Sequence, residues 1–408
     1  MPAPSTVHHP LYQLKRSPFH ARTSELCLPH NWRRWAGYIA AGSYDLGLDR
    51  EYWAIRNHAA LIDVSPLMKY EIDGPDAARL LHRMTPRDVH KLAVGRVYYT
   101  GWCDDDGKLI DDGTITRTAE QAFRLTSAEP QLRWLAMNAV GMQVRVTEVT
   151  DRIAALSLQG PKSRTILNRA CEQPVDGLRY FRMAPNRLAG KPVTISRTGY
   201  TGDLGYEIWL DAADALATWD ALFAAGHDYG ITPCGILAMD MARVEAGLFM
   251  LDVDYTSAHH AWIAGQKSSP YEMGLGWTIN LDKPGYFVGR RALEREARAG
   301  SEWKFVGIEV EWEGLERAYA AVGLPPQVPA MAVRGSLPVY KMGQQVGYAS
   351  TSTWSPVLKK YIALAHVQKP HNTPGTNVTL EITVEHHRRQ APARVVTLPF
   401  YEPEWKRK

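Results

Sequence analysis

Only four cysteines occur in the 408 residues, Cys27, Cys103, Cys171 and Cys234, all far apart and none in a CxxC pair. This spacing excludes a zinc ribbon and a disulfide framework, and each reads as a small apolar filler. Long apolar runs are also missing. Nowhere do about 18 apolar residues follow one another, which leaves no spanning helix. Met1-Pro-Ala-Pro-Ser-Thr6 lacks a basic start followed by an apolar core, so the expected address is cytoplasmic. Blocks of like charge are absent too. Lys and Arg total 47 against 43 Asp and Glu, and the net +4 is spread along the chain, which gives no footprint for nucleic acid or an anionic membrane. The histidine pairs His8-His9, His259-His260 and His386-His387 are adjacent residues that project differently, so they chelate poorly without outside ligands and no metal is expected. There is no GxGxxG fingerprint, so a nicotinamide or flavin pyrophosphate is not implied.

With 45% hydrophobic and 22% charged residues, the chain has the composition of a globular protein with two or three sizeable cores. Helical spacing over Glu51 to Leu61 places Tyr52, Ile55 and Ala59 on one side, and a strand follows at Lys69 to Asp73. Ala77 to Met84 reads as a helix with Asp76 near its start. Strands at Val97 to Cys103 and Leu109 to Arg117 flank the turn Asp104-Asp-Asp-Gly107, which makes a hairpin. Further strands are expected at Asp151 to Leu158 and Val193 to Arg197, then a helix at Ala212 to Ala225 with Asp211 as its cap. Strands and helices alternate without a long βαβ rhythm, so the fold class is α+β. From Trp303 helical periodicity fades. Short strands at Phe305–Val310, Leu337–Lys341, Gln345–Ala349, Ile362–Val367, Asn377–Val384 and Ala393–Pro399 suggest a small antiparallel barrel. The expected division is an α+β region of two subdomains over 1–295 and a β-barrel domain over 303–408.

Ser196 to Leu210 is the most informative segment. Gly199, Gly202 and Gly205 stand at spacing three before an alternating strand that contains one carboxylate, Glu207. Such glycines can take positive φ and let backbone approach a flat heterocycle, for which Tyr200 and Tyr206 offer ring faces. The plainer reading is a glycine-rich hairpin with a surface acid. Asp111 and Asp112 present a similar choice: alternation sends their carboxylates to opposite faces, so one can point inward while the other stays solvated.

Arg197-Thr-Gly-Tyr-Thr-Gly-Asp-Leu-Gly-Tyr-Glu-Ile208 resembles the signature of the glycine-cleavage T-protein (aminomethyltransferase) superfamily. The resemblance runs through Asp63-Val-Ser65, Gly74-Pro-Asp-Ala77, Ile110-Asp-Asp112, Leu158-Gln-Gly-Pro161, Arg243-Val-Glu-Ala-Gly247, Phe287-Val-Gly-Arg290 and Ser355-Pro-Val-Leu-Lys-Lys360 into Ile362-Ala-Leu364. It implies the T-protein fold with its C-terminal barrel, and tetrahydrofolate as cofactor, whose polyglutamylated form suits a mildly basic chain. Asp112 matches the catalytic aspartate of the family, which would stabilise a cationic amine or iminium and assist proton transfer. Glu207 matches the glutamate that grips the pterin, and a carboxylate can accept two parallel bonds from one heterocycle edge. Tyr99 and Tyr200 match positions that wall the folate. Arg243 is a cofactor-binding candidate from its place in the matched Arg243–Gly247 motif, although its position at a helix end favours a structural ion pair.

Departures from the family pattern imply a diverged substrate pocket beside a retained folate pocket. Met239 stands where many T-proteins have an arginine that contacts folate, and Pro66-Leu-Met68 replaces His-Met-Gly. The Lys69 that follows resembles the folate halves of sarcosine and dimethylglycine enzymes. Gly202-Asp-Leu-Gly205 replaces Gly-Glu-Asp-Gly. The proline-rich stretch Gly323 to Met331 could reshape access to the site. Trp32, Trp35, Tyr38, Tyr44, Tyr52, Trp53 and Trp102 crowd the N-terminal part, as an amine-binding box or as a large aromatic core. The leading expectation is a tetrahydrofolate-dependent transferase or demethylase acting on a small N-, O- or S-methylated compound. The alternatives are the T component of glycine cleavage with a lipoylated carrier protein, or the folate subunit of a flavin-dependent methylamine dehydrogenase. A non-enzymatic folate-binding assembly factor ranks last, because Lys283-Pro-Gly-Tyr-Phe-Val-Gly-Arg290 lacks the cysteine of that branch.

Overall fold

The computed structural model describes residues 14–407, so the His8-His9 pair and the opening segment lie outside it. The chain is α+β, with its described strands in four sheets. Lys15–Arg16, Tyr38–Ala41 and Trp32–Trp35 form a small one. A six-stranded sheet runs in the order Met183–Leu188, Lys191–Ser196, Gly205–Asp211, Ile153–Gln159, Ala59–Asp63, Ile231–Pro233. A five-stranded antiparallel sheet runs Val97–Cys103, Leu109–Ala119, Ala122–Ser127, Met68–Asp73, Arg145–Glu148. The C-terminal strands Trp303–Val310, Lys360–Gln368, Gln344–Ser355, Val333–Lys341, Asn377–Val384 and His387–Val396 close into the expected antiparallel barrel.

The hairpin Val97–Cys103/Leu109–Ala119 turns at Gly107, whose φ of +71° sets the tip against the helix Arg290–Ala299. Asp211 accepts the Ala213 amide and so caps the next helical turn. Two sequence readings need correction. The helix over Glu51 to Leu61 stops at Asn57, and Ala59–Asp63 is a strand in the six-stranded sheet. Its Ala-Ala-Leu-Ile run is buried on both faces, a pattern that periodicity cannot tell from a buried helix. In the barrel region, where no helix was foreseen, Trp312–Ala320 is one, burying Leu315 and Tyr319 against the barrel core.

Both large sheets and the barrel contribute to one central apolar cluster. Ile62, Ala155 and Trp209 come from the six-stranded sheet and Cys103 and Leu109 from the five-stranded one. Phe305, Ile362 and Leu364 come from the barrel. The helix Ile236–Glu245 is fastened to the barrel at three points, one of them the Arg334–Asp240 ion pair at 2.8 Å. Arg243 reaches Thr351 Oγ1 at 3.0 Å, and Glu245 accepts Ser355 Oγ at 2.5 Å together with Tyr52 Oη at 2.6 Å and the Arg56 guanidinium. Gly247 then ends this helical run at φ +67°. The proline-rich stretch packs Leu324 and Val328 against the barrel core and holds Tyr319 Oη on the Gln327 carbonyl, so it belongs to the barrel rather than to the central cluster.

Candidate functional site

Asp112 sits in the Leu109–Ala119 strand opposite Gly101. Of the acidic pair, Asp111 is the one turned fully inward. It is wholly buried and accepts the amides of Asp112 (2.7 Å), Glu129 (3.0 Å) and Ala128 (3.4 Å) and the Gln131 side chain (3.1 Å). Asp112 points to the other face and accepts Tyr255 Oη at 2.5 Å and Tyr99 Oη at 2.7 Å. Burial pushes both carboxyls above the usual range. The charge of Asp112 raises Asp111 further, while the two phenols pull Asp112 back down. A carboxylate with each oxygen held by a phenol is a well-oriented partner for a cation.

Tyr99 and Tyr200 both pack against the central cluster, and Tyr200 donates its hydroxyl to the Phe249 carbonyl. The Phe249 ring meets Tyr255 edge-on at 5.5 Å, which ties these tyrosines into one wall. Trp277, 63% exposed, lies roughly parallel to Tyr99 with ring centroids 6.4 Å apart, a flat surface open to solvent beside Asp112.

Along Gly205–Asp211, Tyr206, Ile208 and Leu210 enter a second apolar core, whereas Trp209 joins the central cluster. Alternation places Glu207 on the Trp209 side. Glu207 accepts Thr198 Oγ1 at 2.6 Å. Among the described residues no cation is among its electrostatic neighbours, and burial raises its pKa. Tyr206, read as a stacking face, is fully buried on the opposite side. Of the three glycines only Gly202 has positive φ, at +77°. Gly199 and Gly205 are required for another reason: a Cβ at either would collide with the Gln159 amide. That amide bonds Thr201 Oγ1 and Ser157 Oγ at 3.0 and 2.9 Å and so fixes the loop from Thr198 to Gly205.

Arg243 lies beside this group but is fully engaged. Its guanidinium donates to Asp240 (2.7 Å), the Leu248 carbonyl (3.1 Å), Asp254 and Thr351. With every nitrogen held by protein, the geometry favours the ion-pair reading of this residue. Met239 is buried in the central cluster. Lys69 is also buried, donates to the carbonyls of Ser65 (2.7 Å) and Leu67 (2.8 Å), and is pushed down to about 7 by desolvation.

The N-terminal aromatics do not form one box. Trp102 is in the core of the five-stranded sheet and Tyr52 in the central cluster, while Tyr44 joins a small cluster with Cys27. The four cysteines are unpaired, and three of them are buried as expected of fillers. His260 lies beside Glu129 and Asp252, with one ligand atom of each within 4.8 Å of the others, a largely exposed grouping that by itself marks no metal centre. Tyr255, Trp277 and Gln159 had escaped notice as site residues. Only Gln159 stood in a motif that could have flagged it.

Residues 21–283 match the family described as the GCVT N-terminal domain, and residues 320–402 match the glycine cleavage T-protein C-terminal barrel domain. An aminomethyltransferase of Symbiobacterium thermophilum is 36% identical over 367 residues, covering 88% of this chain and 90% of the relative. Another from Halalkalibacterium halodurans is 32% identical over 360 residues, with 87% and 90% covered. A trimethylamine-oxide aldolase of Ruegeria pomeroyi is 34% identical over 403 residues, 96% of this chain but 47% of that longer protein. The crystal structure of glycine cleavage system aminomethyltransferase T from Bartonella henselae shares the fold at a TM-score of 0.80 and 24% identity, over 95% of this chain and 98% of that one. Among the described residues no helix is long and apolar enough to cross a membrane.

Proposed function

Since the chain belongs to the glycine cleavage T-protein family, we propose that it is a tetrahydrofolate-dependent enzyme that moves a one-carbon unit from a small N-, O- or S-methylated compound to the folate. The observation that carries this reading is Glu207, a half-buried carboxylate with no cation among its described electrostatic neighbours, on the strand face towards the cluster that holds Tyr99, Tyr200 and Tyr255. An acid left so is completed by a ligand that brings N–H donors, which the amino-pyrimidinone edge of a pterin does. The residues therefore fit the group. Tetrahydrofolate, when bound, supplies the nitrogen that accepts the one-carbon unit.

The protein's own part is positioning and charge. Tyr99 and Tyr200 wall the ring. Asp112, held by Tyr99 and Tyr255, stabilises the positive charge that develops on the one-carbon donor. Holding donor and acceptor side by side can remove roughly 7–11 kcal/mol of barrier. The glycine-cleavage reading, with an aminomethyl group delivered by a lipoylated carrier protein, is favoured by the names of the relatives, and Met239 in place of the family arginine speaks against it. A partnership with a separate flavin dehydrogenase is the remaining variant.

Incubation with tetrahydrofolate and pooled N-, O- and S-methyl compounds, followed by mass identification of the folate product, separates these readings. A 5-methyl product supports a redox-neutral demethylase, and a methylene product supports aminomethyl or formaldehyde-level chemistry. No folate product under any condition, with carrier and flavin partners supplied, defeats the assignment.

A further inference from the structure

Residues 198–204 connect the strands Lys191–Ser196 and Gly205–Asp211 and carry two parts of the site, the Tyr200 ring and the Thr198 hydroxyl that donates to Glu207. The Gln159 amide holds this loop from inside. From outside it is held by a segment about 200 residues further along the chain. After the last barrel strand, His387–Val396, the Phe400 ring takes the space that a Cβ on Gly307 of the barrel would need. The Phe400 and Tyr401 amides then donate to the Glu245 carbonyl at 3.0 and 2.9 Å, which lays the segment along the end of the Ile236–Glu245 helix. The Arg56 guanidinium lies over the Tyr401 ring at 4.4 Å and donates to the Thr201 carbonyl of the loop at 2.9 Å. Farther on, Arg197 Nη2 donates to the Lys406 carbonyl at 3.1 Å.

Loop and segment meet at Asp203, whose side chain is wholly buried. One carboxylate oxygen accepts Trp405 Nε1 at 2.8 Å and the Leu204 amide at 2.9 Å, while the other faces Arg56 Nη1 and Tyr401 Oη, both at 3.4 Å. Trp405 therefore makes the shortest side-chain bond to this carboxylate. Burial raises the Asp203 carboxyl above its usual range, and the Trp405 N–H is the chief contact opposing that rise. Asp203 also belongs to Gly202-Asp-Leu-Gly205, one of the departures from the family pattern. The two holds on the loop differ in kind. Gln159 is fully buried, whereas Trp405 is 44% exposed and can release Asp203 without disturbing a core. A loop released on that side spends part of its time with Tyr200 and Thr198 displaced, and apparent ligand affinity falls with the closed fraction.

We propose that Trp405, with Tyr401 beside it, is a positioning residue for the folate site: by fastening Asp203 it keeps the 198–204 loop in the shape that receives the pterin. The inference rests on the folate reading above and adds a residue that acts on affinity through Asp203. It also gives the altered Gly202–Gly205 stretch a task, since the acid there is the one the segment grips.

The test compares the full chain with Trp405→Phe, which keeps a ring and removes the N–H donor. Tetrahydrofolate affinity is measured by titration calorimetry, and amide hydrogen exchange across residues 198–205 is followed with and without tetrahydrofolate. Loss of one hydrogen bond predicts about three- to tenfold weaker binding. It also predicts faster exchange confined to the loop in the ligand-free variant, which saturating tetrahydrofolate reverses. Asp203→Asn keeps an acceptor oxygen for Trp405 and retains more affinity than Asp203→Ala, and adding Trp405→Phe to Asp203→Ala costs nothing further. Unchanged affinity in Trp405→Phe overturns the positioning role and leaves folate binding standing. So does an undiminished loss when Trp405→Phe is added to Asp203→Ala, or faster exchange spread over the whole six-stranded sheet. A parent protein that binds no tetrahydrofolate overturns the folate reading and the positioning role together.

Discussion

Tyr255 Oη lies 2.5 Å from Asp112 Oδ1 although 143 residues separate them in sequence. The segment that carries Tyr255 therefore completes the environment of a carboxylate that a strand of the five-stranded sheet supplies. Replacing the tyrosine with phenylalanine removes one of two phenol donors and leaves the carboxylate less stabilised as an anion. The acid limb of the turnover–pH profile moves up by about one to two pH units in Tyr255→Phe. Folate affinity changes little. An unmoved profile defeats the role given to this hydroxyl.

Asp112→Asn keeps the shape and both tyrosine neighbours but removes the charge. Turnover falls by about 10²–10³-fold, the usual cost of deleting one preorganised electrostatic group, with folate binding largely preserved. Full turnover in single-turnover kinetics sinks the assignment of Asp112.

Glu207→Gln exchanges an acceptor pair for an amide. Folate binding weakens by about 1.5–3 kcal/mol, roughly 10- to 150-fold, measured by titration calorimetry. The ligand-free protein behaves in the opposite sense. Burial raises the folded-state pKa of Glu207 above its ordinary 4.5, so its contribution to stability is present below pH 4.5 and is lost as pH rises through the raised value. At pH 7–8 the ligand-free Gln variant melts above the parent, and the gap closes as pH falls towards 4.5. A gap that widens on acidification contradicts this.

Arg243→Met leaves Asp254 buried without its cation and strips Asp240 of one of two partners, Arg334 being the other. Stability drops by about 3–5 kcal/mol in denaturant unfolding. If the variant instead keeps its stability and loses only folate binding, Arg243 is a ligand contact after all.

What could be read from the chain, and what could not, follows from range. The barrel strands, the acidic hairpin and the Ala77–Met84 helix rest on local patterns, and the fold keeps them close to where the patterns put them. The end of the helix read over Glu51 to Leu61 was misplaced because a strand buried on both faces carries no alternation to betray it. Asp112, Glu207, Tyr99 and Tyr200 could be named by matching a family pattern, since the residues alone favoured solvated acids. Tyr255 and Trp277 were missed because their importance lies in partners far along the chain, Asp112 and Tyr99. Gly199 and Gly205 were noticed for the wrong reason. The room they leave is taken by Gln159, a contact that no local rule of glycine conformation predicts.

Two of the fastenings between the Ile236–Glu245 helix and the barrel also constrain how the chain matures on the ribosome. Arg243 finds Thr351, and Glu245 finds Ser355, 108 and 110 residues later in synthesis. Until those hydroxyls emerge, the nascent N-terminal part holds two charged side chains without their full set of partners and an apolar cluster open where Phe305, Ile362 and Leu364 will sit. Its consolidation must wait for nearly the whole polypeptide, so a transcript truncated ahead of the barrel yields a fragment for proteases rather than a smaller working enzyme.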